Sequence, residues 1–238
     1  MTITGQCGAT AALFEKMMAP FLCGICLTGF MALESPVCPS CGIMFAGRQG
    51  QDHVCGDCLV SPRRFGMVRS TGFFEQSLME AVHCLKYSGK IQLAQPLGML
   101  LFVTFIRNWE KEPIDRVIPV PLHIKRMRMR GFNQTFLMVR HWPSLARAMK
   151  VERPVFSLDT HTLFRKRWTE PQTGLARTKR LKNIKNAFDI NDPVNIAGQR
   201  ILLVDDVFTT GATVDACAKV LLNGGAERVD VLTLARAR

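Results

Sequence analysis

The sequence predicts an α/β fold, a mostly parallel β-sheet flanked by helices, with a small cysteine-rich module at its N-terminus. One observation is a set of short aliphatic runs with the pattern of buried strands, at 116–120, 201–204 and 228–234. Another is a set of segments with helical spacing of apolar residues, at 74–86, 91–109 and 212–223. The third is the confinement of three Cys-x-x-Cys pairs to residues 23–58. We therefore expect a module over residues 1–62 and an α/β domain over residues 63–238, joined at 61–64.

The cysteine pairs are predicted to hold a metal ion. Thirteen residues separate the pair Cys38 and Cys41 from the pair Cys55 and Cys58, a spacing typical of zinc ribbons with a tetrahedral four-thiolate site. Little apolar sequence lies between these pairs, so a structural zinc would supply much of the folding free energy. Disulfide or redox chemistry is the alternative, although a chain of this size without an export signal favours metal binding.

A further pair, Cys23 and Cys26, exceeds the needs of one four-thiolate site. These thiols could exchange with another pair at the same metal, complete a second site with Cys7 or His53, or remain free. All six paired cysteines are therefore candidate zinc ligands, namely Cys23, Cys26, Cys38, Cys41, Cys55 and Cys58.

The most informative stretch is ILLVDDVFTTGAT, at residues 201–213. Two adjacent acids, Asp205 and Asp206, follow the predicted strand, and a loop of small residues then opens a helix. Ligands of parallel α/β sheets bind at the carboxyl ends of strands, and a loop at a helix N-terminus presents N–H groups to a phosphate. Gly211 permits close approach of phosphate oxygens, and the acids suit ribose hydroxyls or hydrated Mg²⁺. The predicted phosphate loop comprises Thr209, Thr210, Gly211, Ala212 and Thr213.

Two basic segments are predicted to lie near the same ligand. After the strand at 116–120 comes a loop, 121–134, rich in arginine, and arginine forks match the oxygens of a pyrophosphate. The segment 165–174 is polar and basic, contains Pro and Gly, and is expected to act as a mobile lid. Lys86 and Lys90 flank a predicted turn and either face solvent or face the anionic site.

Charge and hydropathy narrow the class of protein. The chain is 47% hydrophobic and 21% charged, which indicates a globular rather than a disordered protein. Its net charge of +12 is concentrated at 123–186, which favours a polyanionic ligand over the alternative of a generic basic surface. The longest apolar run, 97–106, is too short to span a bilayer, and no signal peptide is evident. We therefore expect a cytoplasmic protein without a membrane span.

These segments together resemble a known family. Residues 201–213 are similar to the motif for phosphoribosyl pyrophosphate (PRPP) of type I phosphoribosyltransferases. The whole of residues 21–238 resembles the ComF family of bacterial competence proteins. The resemblance rests on residues 201–213, on the Cys-x-x-Cys pairs, and on the segments VIPVPLHIKRMRMRGFNQ and RKRWTEPQTGLARTKRLKNIKNAF. The resemblance implies a type I phosphoribosyltransferase fold behind a zinc finger, with PRPP and Mg²⁺ as ligands. It also implies a link to natural transformation, with single-stranded DNA and other competence or DNA-processing proteins as partners.

The resemblance also implies roles for individual residues. Asp205 and Asp206 would be the ribose-binding acids, and Arg126 and Arg130 would join them in catalysis from the pyrophosphate side. The 5′-phosphate would bind the loop at 209–213, and the pyrophosphate side would include Pro121, Leu122 and His123. The flexible loop would contribute Arg165, Lys166, Arg167, Thr169, Gln172, Arg180 and Asn183.

Three classes of function remain open at this stage. The first is an enzyme that transfers phosphoribose to an unidentified acceptor. The second is a protein that binds PRPP, nucleotide or DNA without turnover. The third, a purely structural zinc-finger adaptor, leaves the acids and threonines of 201–213 unexplained.

Overall fold

The fold is built around a parallel β-sheet. The computed structural model describes residues 9–47, 50–151, 156–168, 184 and 186–238. Its strands are β1 Val68–Phe73, β2 Arg116–Pro119, β3 Ser157–Leu158, β4 Leu163–Arg165, β5 Phe188–Ile190, β6 Arg200–Phe208 and β7 Arg228–Arg236. Five of them form one sheet in the order β1-β7-β6-β2-β3, and every pairing in it is parallel. Strands β4 and β5 form a separate antiparallel pair. The predicted α/β fold with a mostly parallel sheet is confirmed.

Helices cover both faces of this sheet. They are α1 Ala9–Met18, α2 Gly24–Thr28, α3 Gly56–Val60, α4 Gln76–Tyr87, α5 Ala94–Trp109, α6 Ile124–Arg130, α7 Gln134–Val139, α8 Trp142–Ala148 and α9 Ala212–Asn223. Helix α9 has the predicted bounds, since Gly211 precedes it with a left-handed φ of 78° and Gly224 ends it. Within the described parts of the chain, no helix has the length and apolarity needed to cross a membrane.

The central strand β6 divides the core into two layers. Leu202 and Val204 pack on one face with helices α1, α4, α5 and α7, whereas Ile201 and Leu203 pack on the other with α9. Side chains alternate along a strand, so the two acids that follow are directed to opposite faces of the sheet. Buried on both faces, this strand needs the near-continuous aliphatic run that its sequence has.

The structure differs from the predictions at three elements. Strand β6 continues to Phe208, because its backbone stays paired with β7 as far as Arg236, so the acids lie within the strand rather than after it. The predicted loop at 121–134 contains helix α6, which His123 caps at its start and Gly131 ends with a φ of 81°. Strand β1 was not predicted, since Ser70, Thr71 and Gly72 interrupt its apolar pattern.

The cysteine-rich segment packs against the β1 edge of the sheet. The Val68 N–H donates to the Ser40 carbonyl over 2.9 Å, and Ala32 forms an antiparallel bridge with Gly72. A side chain at Gly72 would meet the Met31 carbonyl at 2.7 Å, so glycine allows this close approach of two backbones. The hydroxyl of Ser77 donates to the Cys26 carbonyl. The module therefore covers the outer edge of β1, the edge that does not pair with β7.

Candidate functional site

Asp206 is a buried acid with two fixed partners. Only 6% of the residue is exposed. Its Oδ1 accepts from Lys86 Nζ, at the end of α4, over 2.7 Å, and its Oδ2 accepts from Gln134 Nε2, at the start of α7, over 2.5 Å. The lysine charge and the amide hydrogen bond together compensate the cost of burying this carboxylate.

Asp205 lies on the opposite face of β6 and has a different environment. Its Oδ1 accepts the N–H of Asp206 over 2.9 Å. Burial and the adjacent charge of Asp206 raise the pKa of Asp205 to about 7, while the charges of Lys86 and Arg165 act in the opposite direction. The buried thiol of Cys217, on α9, faces it, and burial and the charge of Asp205 raise the pKa of this thiol. The two adjacent carboxylates thus have different partners: Asp206 accepts hydrogen bonds from two side chains, whereas Asp205 accepts one from a backbone N–H.

The loop between β6 and α9 has the geometry of an anion site. Gly211 adopts a left-handed φ of 78°, and an added Cβ would lie 2.8 Å from the ring of Phe208. Any other residue would therefore be strained and would also clash. Helix α9 has 12 residues and begins directly after this glycine, so the positive end of its dipole is directed at this loop and favours a negatively charged group. The Ala212 N–H contacts the hydroxyl oxygen of Thr210 at 3.4 Å.

A group of cations surrounds the two acids. Arg130 Nη1 donates to Gln134 Oε1 over 2.5 Å, and its guanidinium lies 5.4 Å from the centre of the Tyr87 ring. The pKa of Arg126 is lowered by burial and by the charge of Arg130, while Tyr87 and Asp206 oppose the shift. The pKa of Arg165 is lowered by burial and by the charge of Arg126. Positive charge is therefore concentrated at one place, which favours binding of a polyanion.

The loop that follows β2 lies next to these cations. Strands β2 and β6 are neighbours, and the Val120 N–H donates to the Val204 carbonyl over 2.8 Å. Pro121, Leu122 and His123 are partly buried. The pKa of His123 is lowered by burial and then by the charge of Arg165. Its ring meets Trp168 edge-on at 5.5 Å, and Arg126 lies 5.4 Å from the centre of the same indole. The first residues of the predicted lid thus contact the predicted pyrophosphate side.

Several of the predicted site residues are brought together, and others fall outside the description. Asp205, Asp206, Arg126, Arg130, His123 and Arg165 interact with one another or with shared partners. Lys166 instead pairs with Asp189 over 2.7 Å on the exposed β4–β5 pair. Thr169, Gln172, Arg180 and Asn183 lie outside the residues that the structure describes.

Sequence reasoning missed two residues of the site and left a third undecided. Lys86 was given two alternatives, and the structure supports the one that faces the acids. Gln134 and Tyr87 were not singled out. Tyr87 and Lys86 are consecutive in α4, and they contact the two ends of a chain formed by Arg130, Gln134 and Asp206. One signal for Gln134 was available in the sequence. The segments 121–134 and 205–213 each follow a predicted strand, and the carboxyl ends of parallel strands lie at the same side of a sheet.

Four cysteines form a candidate metal centre. The sulfur atoms of Cys38, Cys41, Cys55 and Cys58 all lie within 4.8 Å of one another, and those of Cys41 and Cys55 are 3.7 Å apart. A tetrahedral zinc with bonds of about 2.3 Å would place its sulfur ligands roughly 3.8 Å apart, so the cluster fits such an ion. Burial would raise the pKa of Cys38, but N–H groups of Cys41, Cys55 and Ser40 bring it down to about 7. The thiolate form that a metal requires is thereby favoured at Cys38, whereas burial raises the pKa of Cys41 to about 12 and also raises that of Cys58.

Cys23 and Cys26 are not part of this cluster. Within the described part of the chain, the cysteines at 38–58 are the one group of three or more potential ligands that lie this close together. Cys23 is exposed, and its pKa is lowered by the N–H and the side chain of Cys26. His53, one of the two partners predicted for a second site, stacks on Phe45 with the ring centres 3.8 Å apart. The other predicted partner, Cys7, lies outside the residues that the structure describes. Of the six predicted ligands, the structure therefore groups four.

Comparison with known proteins agrees with this arrangement. The model of the phosphoribosyl transferase domain family matches residues 144–238, which include strand β6, its two acids and the loop predicted to bind phosphate. The chain is 34% identical over 221 residues to the DNA utilization protein YhgH of Salmonella typhi, covering 90% of each chain.

Two further relatives are named as competence proteins. Competence protein F of Haemophilus influenzae is 29% identical over 206 residues, covering 84% of this chain and 85% of that protein. Competence protein ComFC of Bacillus subtilis is 28% identical over 233 residues, covering 95% of this chain and 88% of that protein. With its phosphoribosyltransferase-type domain behind a four-cysteine cluster, the chain belongs to the ComF family of competence F, ComFC and YhgH proteins.

Proposed function

We propose that this protein binds PRPP together with Mg²⁺ and transfers its phosphoribosyl group to an acceptor that is still to be identified. The observation that carries the proposal is the left-handed Gly211 at the start of α9, in the loop that follows the strand bearing Asp205 and Asp206. Arg126 interacts electrostatically with both Arg130 and Asp206, so cations lie near the same acids. A sugar that carries phosphate at one end and pyrophosphate at the other is complementary to this sequence of groups.

In the proposed reaction, the bond from C1 of the ribose to pyrophosphate breaks, and its electron pair leaves with the pyrophosphate. An acceptor lone pair forms the new bond to C1, and the acceptor proton passes to water or to the released pyrophosphate. Arg126, Arg130 and Arg165 would offset the charge that develops on the leaving group. Asp205 would orient the ribose hydroxyls or hold the ion through water, and bound Mg²⁺ would neutralise pyrophosphate charge.

A second candidate is PRPP or nucleotide binding without turnover. The observation that favours it is the engagement of both carboxylate oxygens of Asp206, one with Lys86 and the other with Gln134. A ribose hydroxyl would have to share the Asp206 oxygens with these two partners, whereas the loop at 209–213 could bind a ligand without involving Asp206.

We further propose zinc as the metal of the cysteine cluster, because four sulfur ligands leave no open coordination position and indicate a structural ion. The names of the relatives support a role linked to competence and DNA utilization, with single-stranded DNA and other DNA-processing proteins as proposed partners. Exposed Lys125 and Arg128 on α6 would give such binding a strong dependence on salt.

The experiment that separates the two candidates uses the full chain with PRPP and Mg²⁺. Calorimetry measures binding, and a coupled assay measures pyrophosphate release in the presence of purines, pyrimidines and other amines. Transfer predicts release that depends on an acceptor and is abolished by D205N. Binding with no release for any acceptor would support the second candidate. Absence of PRPP binding would contradict transfer and the PRPP form of the second candidate, and calorimetry with nucleotides would then test its nucleotide form.

A further inference from the structure

One buried arginine contacts both the four-cysteine cluster and strand β6, which bears Asp205 and Asp206. Arg236, on β7, is 9% exposed, and its Nη1 donates to the backbone carbonyl of Cys41 over 2.5 Å. The same guanidinium lies 4.7 Å from the centre of the Phe208 ring. Cys41 is a candidate metal ligand, and Phe208 is the last residue of β6, so one side chain joins the two centres.

Phe208 in turn determines the shape of the phosphate loop. Its ring lies against Gly211, because an added Cβ there would approach the ring to 2.8 Å. The ring is also held from another side by Phe65, which meets it edge-on with centres 6.3 Å apart. A displacement of this ring would therefore change the space beneath the left-handed turn that begins α9.

The segment that follows the cysteine module provides a second contact with the same helix. Arg64 Nη1 pairs with Asp215, in the first turn of α9, over 2.7 Å, and the Arg64 N–H contacts the other oxygen of that carboxylate at 3.4 Å. Phe65 comes next in the chain and packs on Phe208. The phosphate loop is thus supported by the module side of the protein at two places.

Charge gives the Arg236 contact a dependence on the metal. Four thiolates with one divalent ion carry a net charge of −2, and both Arg236 and Arg69 interact electrostatically with Cys38 and Cys41. Arg69 donates to the Pro39 carbonyl over 3.0 Å and to Asn108, contacts that do not involve Phe208. Arg69 therefore shares the charge environment of Arg236 without its contact to Phe208, the residue that lies against Gly211.

We infer that Arg236 is a positioning residue that couples the four-cysteine metal site to the Gly211 loop, so that a bound metal ion strengthens the binding of a sugar phosphate at residues 209–213. The inference rests on the proposed PRPP site for its ligand, but the coupling itself concerns only the order of the loop. The cysteine module would then order the loop at 209–213, in addition to covering the outer edge of the sheet.

The test compares three variants of the full chain loaded with zinc. R236M removes the residue that contacts both sides, F208L removes the ring that lies between Arg236 and Gly211, and R69M is the matched control on the metal side. We measure amide hydrogen exchange of residues 209–213, the dissociation constant for PRPP with Mg²⁺, and zinc retention against a chelator. Since R236M could fail to fold, R236K is a milder variant that keeps the positive charge but replaces the planar guanidinium group with an ammonium group.

R236M and F208L should each weaken PRPP binding about tenfold and speed exchange at 209–213, whereas R69M should lower only zinc retention. Chelation should loosen the loop of the wild-type chain and have little further effect on R236M. Equal loop exchange in R236M and R69M would overturn the inference. If the wild-type chain fails to bind PRPP, the proposed function is wrong, and exchange at 209–213 still decides the coupling because it requires no ligand.

Discussion

Lys86 donates a hydrogen bond to Asp206 over 2.7 Å, although 120 residues separate them in the chain. The lysine ends helix α4, and the acid lies in the central strand β6. Both groups are largely withdrawn from water, with exposed side-chain fractions of 16% and 8%. A pair of this kind is held by mutual attraction against the cost of dehydration, so each partner depends on the other.

Removal of the lysine should therefore damage both stability and ligand binding. K86M leaves the Asp206 carboxylate with only Gln134 as its partner, and we expect a loss of roughly 3 kcal/mol in the free energy of unfolding. PRPP binding should also weaken, since a cation disappears from the site. Urea unfolding and calorimetry measure the two effects. The exposed Lys90 provides a matched control, and equal effects of K86M and K90M would contradict the prediction.

The second prediction concerns the left-handed turn before α9. In G211A, the alanine backbone is strained at a φ of 78°, and its methyl group clashes with the Phe208 ring. PRPP binding should therefore weaken by more than about tenfold. Gly198 has a similar φ of 69° but no atom within 4 Å of an added Cβ. Its replacement, G198A, should cost about 1 kcal/mol of stability and leave binding unchanged. Calorimetry on both variants separates backbone strain from damage to the site.

These two cases show which parts of the site could be predicted from the sequence. The acids, threonines and Gly211 are contiguous in 201–213, so their local pattern indicates both a strand end and an anion loop. The contacts of Lys86 with Asp206 and of Arg236 with Cys41 span 120 and 195 residues. They depend on the strand order β1-β7-β6-β2-β3, which no local pattern contains. The extension of β6 past the acids was missed for the same reason, because pairing with β7 determines where that strand ends.

The third prediction addresses the number of metal ions. Because the sulfur atoms at 38, 41, 55 and 58 form one cluster, we expect about one zinc ion per chain. C41S should lower the bound zinc to about zero and destabilise the module. C23S with C26S should leave the zinc content unchanged, since these thiols lie outside the cluster. Metal analysis after gel filtration checks both results, and two ions per wild-type chain would contradict the assignment.

The fourth prediction concerns the basic surface of α6. If exposed Lys125 and Arg128 neutralise DNA phosphates, the affinity for single-stranded DNA should fall steeply with salt. The double variant K125A/R128A should reduce the slope of log affinity against log salt by about 1.4, since each single-strand phosphate contributes about 0.7. Fluorescence anisotropy at several salt concentrations measures this slope. K111A is the control, because this exposed lysine precedes β2 whereas α6 follows it, at the other end of that strand. An equal change in the slope of K111A would exclude a specific role for α6.

The fifth prediction follows from the raised pKa of Asp205. Its folded-state pKa of about 7 lies above the value near 3.9 of an unfolded aspartate, so the folded protein binds the additional proton between these values. Stability should therefore fall as pH rises from about 4 to about 7 and stay at the lower level above pH 7. The shift of about three units corresponds to at most roughly 4 kcal/mol.

Asp205→Asn removes this titration, so the variant should be more stable than the wild type at pH 8 and should lose the decline between pH 4 and pH 7. Chemical unfolding at a series of pH values measures both effects. The exposed Asp192 supplies the control, because D192N should leave the decline in place. If ligand binding requires the charged form of Asp205, wild-type affinity for PRPP should rise through pH 7 while D205N stays weak. A wild-type stability that increases over this range would mean that the charged carboxylate is favoured in the fold, contrary to the burial and to the adjacent charge of Asp206.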